Sequence, residues 1–148
     1  MSTSAIDISA SGMRAQRLRM EVIANNLANV ETTNAGQQVE TGPDGQNFVR
    51  FTPYRRKEVV FQAGDGASGV AAPMVVDDAS DFRIEFDPGH QHSVKNPGAA
   101  DFGRVYFPNV NPIAEMVDMI AASRAYEANV TAVETFKSMM SNALRILA

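Results

Sequence analysis

Residues 112–148 read PIAEMVDMIAASRAYEANVTAVETFKSMMSNALRILA, and this stretch decides the fold. Met119, Tyr126, Val133, Met140 and Leu147 recur every seven residues, with Met116, Val130, Phe136 and Leu144 beside that line at offsets of three and four. Such spacing places all of them on one helical face. After Pro112 there is no further Pro and no Gly, so nothing interrupts a helix. Asn111 suits the N-cap and Pro112 the first helical position, while Glu115 and Asp118 complement the positive helix end. At 1.5 Å per residue the rod is roughly 50 Å long. Ile113, Val117 and Ile120 add apolar surface outside the heptad line. One partner helix covers a narrow seam, not so broad a face, so the pattern predicts packing between molecules as well as within one.

A second helix is predicted at the other end of the chain. Ser4 and Asp7 form a capping-box-like start, and Ile6, Met13, Met20 and Leu27 again recur every seven residues, with Ala10, Ile23, Ala24 and Val30 between them. Gly12 weakens its first turns by about 1 kcal/mol relative to Ala. The run Asn25-Asn26-Leu27-Ala28-Asn29 ends it. Asn25, Asn26 and Asn29 either terminate the helix locally or hydrogen-bond to another helix; the sequence leaves both open.

Between the helices the period changes. Residues 31–47 (ETTNAGQQVETGPDGQN) read as a loop with a Gly42-Pro43-Asp44-Gly45 turn signal. Strands are predicted at 51–54, 56–62, 70–77, 82–86 and 104–107. In Phe82-Arg83-Ile84-Glu85-Phe86 apolar and charged residues alternate, which predicts one buried and one wet face. The expected fold class is α+β: long N- and C-terminal helices paired as an antiparallel coiled-coil-like unit around a small β-rich module. The expected organisation is an N-terminal helix over 1–30, a loop over 31–47, a β-rich module over 48–110 and a C-terminal helix over 111–148.

Composition restricts the function. The chain of 148 residues is 45% hydrophobic, 20% charged and only 7% aromatic, with eight Met and no Trp, which favours adaptable helix packing over a large β core. A net charge of −4 gives no field attractive to nucleic acid. No apolar run approaches the roughly 20 residues of a membrane span, and no hydrophobic region of a cleaved signal peptide is present near the N-terminus. The absence of cysteine excludes disulfides and thiolate metal sites.

Motifs with chemical meaning are few. Gly64-Asp65-Gly66-Ala67-Ser68-Gly69 matches G-x-G-x-x-G, but a β-like, Pro-containing segment comes next instead of the helix that a pyrophosphate needs, so a hairpin loop is expected. His90 and His92 share a side only on a strand and lack an evident third ligand, so a polar turn is expected rather than zinc. Asp77, Asp78 and Asp81 lack calcium-loop spacing and read as a solvated turn. Arg55-Arg56-Lys57 and Arg14, Arg17 and Arg19 read as a positive rim facing acidic neighbours. No catalytic, cofactor-binding or metal-ligating residue is predicted, and no nucleic-acid contact or membrane insertion. The alternative class is a soluble helical adaptor, or a small nucleotide-binding enzyme using the Gly64–Gly69 loop.

The two ends together carry a resemblance. Ser9-Ala10-Ser11-Gly12-Met13-Arg14-Ala15-Gln16, then Ile23-Ala24-Asn25-Asn26-Leu27-Ala28-Asn29-Val30 and Thr32-Thr33, resemble the N-terminal signature of bacterial flagellar rod and hook proteins. Pro108-Asn109-Val110-Asn111-Pro112, leading into Glu115-Met116-Val117-Asp118-Met119-Ile120 and Ser123-Arg124-Ala125-Tyr126-Glu127-Ala128-Asn129-Val130, is similar to the C-terminal half of that pattern. Tyr54-Arg55-Arg56-Lys57 and Asp87-Pro88-Gly89-His90 look like a proximal-rod member. The chain departs after Thr33, where Asn34-Ala35-Gly36-Gln37 replaces the Thr-Gly and aromatic of many relatives. The resemblance implies a non-enzymatic axial protein without cofactors, exported unfolded by the flagellar type III apparatus. It implies assembly with copies of itself and other rod proteins into the drive shaft crossing the periplasm. The residues expected at helix-packing and assembly contacts are Ile6, Met13, Met20, Ile23, Asn25, Asn26, Leu27 and Asn29 in the first helix. In the second they are Met116, Met119, Tyr126, Asn129, Val130, Val133, Phe136, Met140, Leu144 and Leu147.

Overall fold

The computed structural model describes residues 5–42, 45–64, 69–71 and 73–147. The element order is α1 (Ala5–Ala28), β1 (Gly36–Thr41), β2 (Asn47–Thr52), β3 (Lys57–Val60), β4 (Met74–Asp77), β5 (Arg83–Phe86), β6 (Arg104–Phe107) and α2 (Pro112–Leu147). The fold class is α+β. The six strands form three two-stranded sheets, β1–β2, β3–β4 and β5–β6, rather than one continuous sheet. Among the described residues no helix is long and apolar enough to cross a membrane. The chain divides into two compact units. One comprises Met1–Ala24, Lys57–Val76 and Ile113–Ala148, and the other Asn25–Arg56 and Asp77–Pro112. The β-rich stretch expected as a single module is therefore divided, because the β3–β4 segment packs with the helices.

In the helical unit the buried positions are small or polar apart from Ile23. Ser11, Ala15 and Ile23 of α1 are buried, as are Glu115 and Ala122 of α2. Arg19 Nη2 donates to Asp118 Oδ1 at 2.7 Å. Gly12 lies against the side chain of Asn129, where an added Cβ would come within 3.1 Å of its Oδ1. That contact explains a glycine inside a helix, which intrinsic propensity disfavours. Asn129 is itself held, its Nδ2 donating to the Ala125 carbonyl at 2.7 Å.

Ser11 joins α1 to the β3–β4 segment. Its hydroxyl donates to the Ile8 carbonyl at 2.6 Å and accepts from the Val70 N–H at 3.0 Å. Gly69, at φ +77°, brings the strand in beside it; a Cβ there would overlap the Ser11 hydroxyl and meet the Ile8 backbone at 3.2 Å. The two ends of the Gly64–Gly69 loop are tied by Gly64 N–H to the Gly69 carbonyl at 2.8 Å and by the Ala63–Val70 bridge. Residues 65–68 of that motif lie outside the described residues. Gly69 leads into a β-bridge residue, Val70, and not into a helix, so the geometry of a dinucleotide fingerprint is not met.

The second unit is held by polar contacts. β1 and β2 are antiparallel, Gly36 opposite Thr52 and Thr41 opposite Asn47. This corrects the loop expected over 31–47. The segment is polar and Gly-rich, but the ladder to Asn47–Thr52 and the Glu40–Arg50 ion pair at 3.0 Å, between diagonal neighbours, make it a strand. Arg50 also pairs with Asp101, to which the Tyr106 hydroxyl donates at 2.6 Å. Burial alone would raise the Asp101 carboxyl, but the hydrogen bonds from Tyr106 and Arg50 outweigh it and hold Asp101 below its ordinary value. The basic run also turns inward. Arg56 pairs with Asp78 at 3.1 Å, and Arg55 donates to the Asp78 carbonyl at 2.7 Å and lies over the Phe82 ring. Asp78 is lowered, first by the Ser80 N–H that donates to its Oδ1 at 2.8 Å. Arg55 and Arg56 are thus internal struts, not the expected rim.

The alternation of 82–86 is present, but the expected buried face is not: every residue of β5 is exposed. β5 and β6 are antiparallel, with Arg83 opposite Phe107, Ile84 opposite Tyr106, Glu85 opposite Val105 and Phe86 opposite Arg104. Directly opposed residues share a face, so the charged residues of β5 lie on the side of Val105, which is 1% exposed. Arg83 stacks over the Phe107 ring at 4.6 Å. Ile84 and Phe86 occupy the other face and are 48% and 73% exposed. The buried position of this pair is on β6, at Val105, and β5 forms the exposed edge beside it.

Two measurements check these contacts. Asp78 and Asp101 have folded values below their unfolded ones, so their contribution is full above about pH 4 and is lost as pH falls through the folded values. NMR at decreasing pH will show amide signals of residues 25–56 and 77–112 losing dispersion, and Asp101→Asn will lose part of that dependence. Gly69→Ala forces a left-handed alanine onto Ser11 and will cost about 1–3 kcal/mol, against about 1 for Ser11→Ala, in urea unfolding.

Candidate assembly surface

The heptad positions of α1 and α2 separate into three groups. Ile23 is buried; Met13, Met20, Leu27, Met119, Tyr126, Val130, Val133 and Phe136 are half-buried. Ile6, Met116, Met140 and Leu144 are exposed, and the side chain of Leu147 lies outside the described residues. Between the helices a cleft of about 250 Å³ is lined by Ala10, Met13, Arg14, Arg17 and Tyr126.

The contact pairs explain the exposed group. Going back along α1 from Arg19 to Gly12 goes forward along α2 from Asp118 to Asn129. Ala5 lies about 10 Å beyond Gly12, whereas α2 continues about 27 Å beyond Asn129. Residues 137–146 of α2 are exposed at every position, including Met139, Met140, Leu144 and Ile146. At the other end of α2, Ile113, Val117 and Ile120 are 72%, 62% and 57% exposed, with Met116 beside them. These four have i, i+3, i+4, i+7 spacing and form one face. At 100° per residue, that face and the apolar side of 139–146 point about 140° apart around the helix.

The asparagines behave differently from one another. Asn29 Nδ2 donates to the Asn25 carbonyl and Oδ1, both at 2.9 Å, and Asn29 Oδ1 accepts from the Thr32 hydroxyl at 3.2 Å, so these two terminate α1 locally. Asn26 is buried, and its Oδ1 accepts from the Tyr54 hydroxyl at 2.9 Å. Asn129 is the asparagine that faces the other helix.

Sequence reasoning passed over Ser11 and Glu115. Glu115 was expected only as a charge at the positive end of α2, yet it is fully buried in the first turn. Ser11 had no signal beyond its place next to Gly12, because its partners, Gly69 and Val70, are distant in the chain. The histidines pack against their neighbours. His92 Nδ1 lies 2.7 Å from the Thr33 hydroxyl, its ring centroid 4.5 Å from that of Phe51, and His90 accepts from the His92 N–H at 3.1 Å. Among the described residues no group of three or more His, Asp or Glu is placed to hold a metal.

Comparison with known proteins gives the family. Residues 6–35 match the family described as flagella basal body rod protein, and residues 103–146 the one described as flagellar basal body rod FlgEFG protein C-terminal. The matched segments hold α1 with its asparagine run, and β6 with nearly all of α2. The flagellar basal-body rod protein FlgC of Bacillus subtilis is 38% identical over 95% of this chain and 95% of its own length. The FlgC proteins of Yersinia enterocolitica and Salmonella typhimurium are 40% and 38% identical, each over 95% of this chain and 93% of their own. With both helices and the strands between them accounted for across nearly its whole length, this chain belongs to the flagellar basal-body rod protein family, in its FlgC branch.

Proposed function

We propose that this chain, a structural rod subunit of the flagellar basal body and not an enzyme, is built into the proximal rod through the open faces of α2. The carrying observation is the exposed row Ile113, Met116, Val117 and Ile120. Apolar rows of that length on a small chain mark association. In this reading α1 and α2 act as an antiparallel coiled-coil-like pair whose shared seam is Met13, Met20, Ile23, Leu27, Met119, Tyr126, Asn129, Val130, Val133 and Phe136. Ile6, Met116, Met140 and Leu144 then meet copies of the chain and other rod proteins. Two contact faces about 140° apart are heterologous, and heterologous contacts that do not close generate a helical assembly. The rod crosses the periplasm and transmits torque along these packed helices.

Delivery by the flagellar type III apparatus as an unfolded chain fits the same physics. No disulfide has to form or break during threading, since the chain lacks cysteine. The fully exposed 137–146 segment gains its packing only when a neighbour arrives, so ordering and docking are coupled.

A triple Ile113→Asp, Val117→Asp, Ile120→Asp variant will keep the helix content and thermal midpoint of the parent. It will fail to restore swimming to a deletion strain and will be absent from purified basal bodies. Normal motility of that variant overturns the reading. Pairing of the helices has its own check. Gly12→Val will cost about 1–3 kcal/mol by crowding Asn129, and Asn129→Ala will recover part of the loss. An equal cost in both backgrounds means the helices do not meet there.

A further inference from the structure

β5 has one edge engaged and one open. The Asp87 N–H donates to the Gly103 carbonyl at 3.0 Å, which fixes the parity of the ladder. Arg83 and Glu85 point their backbone groups toward β6, and Ile84 and Phe86 point theirs away from it. The far edge of β6 is capped, since the Val94 N–H donates to the Arg104 carbonyl at 2.9 Å. Among the described residues no hydrogen bond reaches the outward groups of Ile84 and Phe86, and every residue of β5 is exposed. An open edge bearing apolar side chains is a template for another strand.

The sequence of this edge names its partner. Phe82-Arg83-Ile84-Glu85-Phe86 is self-complementary when reversed: aromatic, cation, aliphatic, anion, aromatic. We propose that β5 pairs antiparallel with β5 of a second copy of this chain, centred on Ile84. In that register Ile84 faces its own counterpart, and Phe82 faces Phe86 in both directions. These are the residues whose backbone groups are free to bond across the edge. Arg83 then falls opposite the second copy's Glu85, at the closer, non-hydrogen-bonded positions of the ladder. Within one chain Arg83 and Glu85 already lie 3.5 Å apart, and both are more than half exposed. The pair therefore completes an alternating cluster of four charges. Sliding one strand by two residues sets Glu85 against Glu85, or Arg83 against Arg83, and like charges directly opposite destabilise. Charge thus selects one register. On the other face Ile84, Phe86 and Tyr106 of both copies join into one apolar surface across a four-stranded sheet β6–β5–β5–β6. The contact is isologous and closes at two chains, unlike the open contacts proposed for α2.

Sedimentation velocity on the full chain tests this. The parent will show a concentration-dependent monomer–dimer equilibrium. Arg83→Glu alone and Glu85→Arg alone will each weaken it by about tenfold or more, since each places two like-charged pairs across the edge. The double exchange R83E/E85R, which restores opposite charges at every position, will recover the parent affinity. Ile84→Cys, in a chain without cysteine, will form an oxidised dimer because opposed Cα atoms lie within disulfide range, at about 5.5 Å. Val39→Cys, on the exposed β1, will not. A monomeric parent overturns the proposal, as do single reversals that dimerise like the parent, a double exchange without recovery, or equal crosslinking at both cysteines. The α2 faces remain intact in all these variants, so their rod incorporation reports on the proposed function separately.

Discussion

A helix longer than anything placed beside it governs this structure. α2 runs 36 residues, about 54 Å, and α1 24 residues, about 36 Å. The Arg19–Asp118 and Gly12–Asn129 contacts fix where the shorter helix lies on the longer one. From that alignment the rest is arithmetic. Residues 119–136 lie where α1 can shield their heptad line, and those side chains are half-buried. Residues 137–146 extend past α1 and are exposed throughout. The overhang is not a packing defect that a better core residue would repair. Counted back from Gly12 at the same rise, Ala5, the first described residue of α1, comes level with about residue 136. In the proposed assembly, cover for the overhang comes from another chain.

What was legible in the sequence was what periodicity encodes. Both helices, the Pro112 start and the strand at 104–107 come from local spacing, and the surplus apolar face of α2 was readable in Ile113, Val117 and Ile120. The misreadings have separate causes. β1 carries Gln37, Gln38 and Glu40, a composition that reads as loop; its partner strand lies just across the Gly42–Gly45 turn signal, and the hairpin was hidden by polar composition rather than by distance. Alternation in β5 predicts a buried face, but burial depends on what packs against the strand, and Arg83–Phe86 is exposed throughout. Asn26 resembled its neighbours Asn25 and Asn29 in sequence, yet only Asn26 meets Tyr54. Ser11 and Gly69 are matched across fifty-eight positions, as a hydroxyl and the missing Cβ that leaves room for it. No single-sequence pattern carries that pairing.

The second unit is assembled on a different principle from the helices. Its buried residues include the apolar Val94 and Val105 and the polar Asn26, Thr33, Ser93 and Asn96. Each net hydrogen bond contributes only about 1 kcal/mol, but leaving a buried partner unsatisfied costs about 1–3. Such a unit gains specificity from many small, mutually dependent contacts and little surplus stability from burial. It therefore forms one arrangement or none, with Arg50, Asp101 and Tyr106 closing one side and Arg56, Asp78 and Asn109 the other. The helical unit differs in leaving a large apolar surface uncovered, Ile113, Met116, Val117, Ile120, Met139, Met140, Leu144 and Ile146 all being exposed. The two units thus differ in what holds them: internal hydrogen bonds in one, and helix faces left exposed in the other. In the proposed assembly, neighbours supply the burial that the exposed stretches of α2 lack.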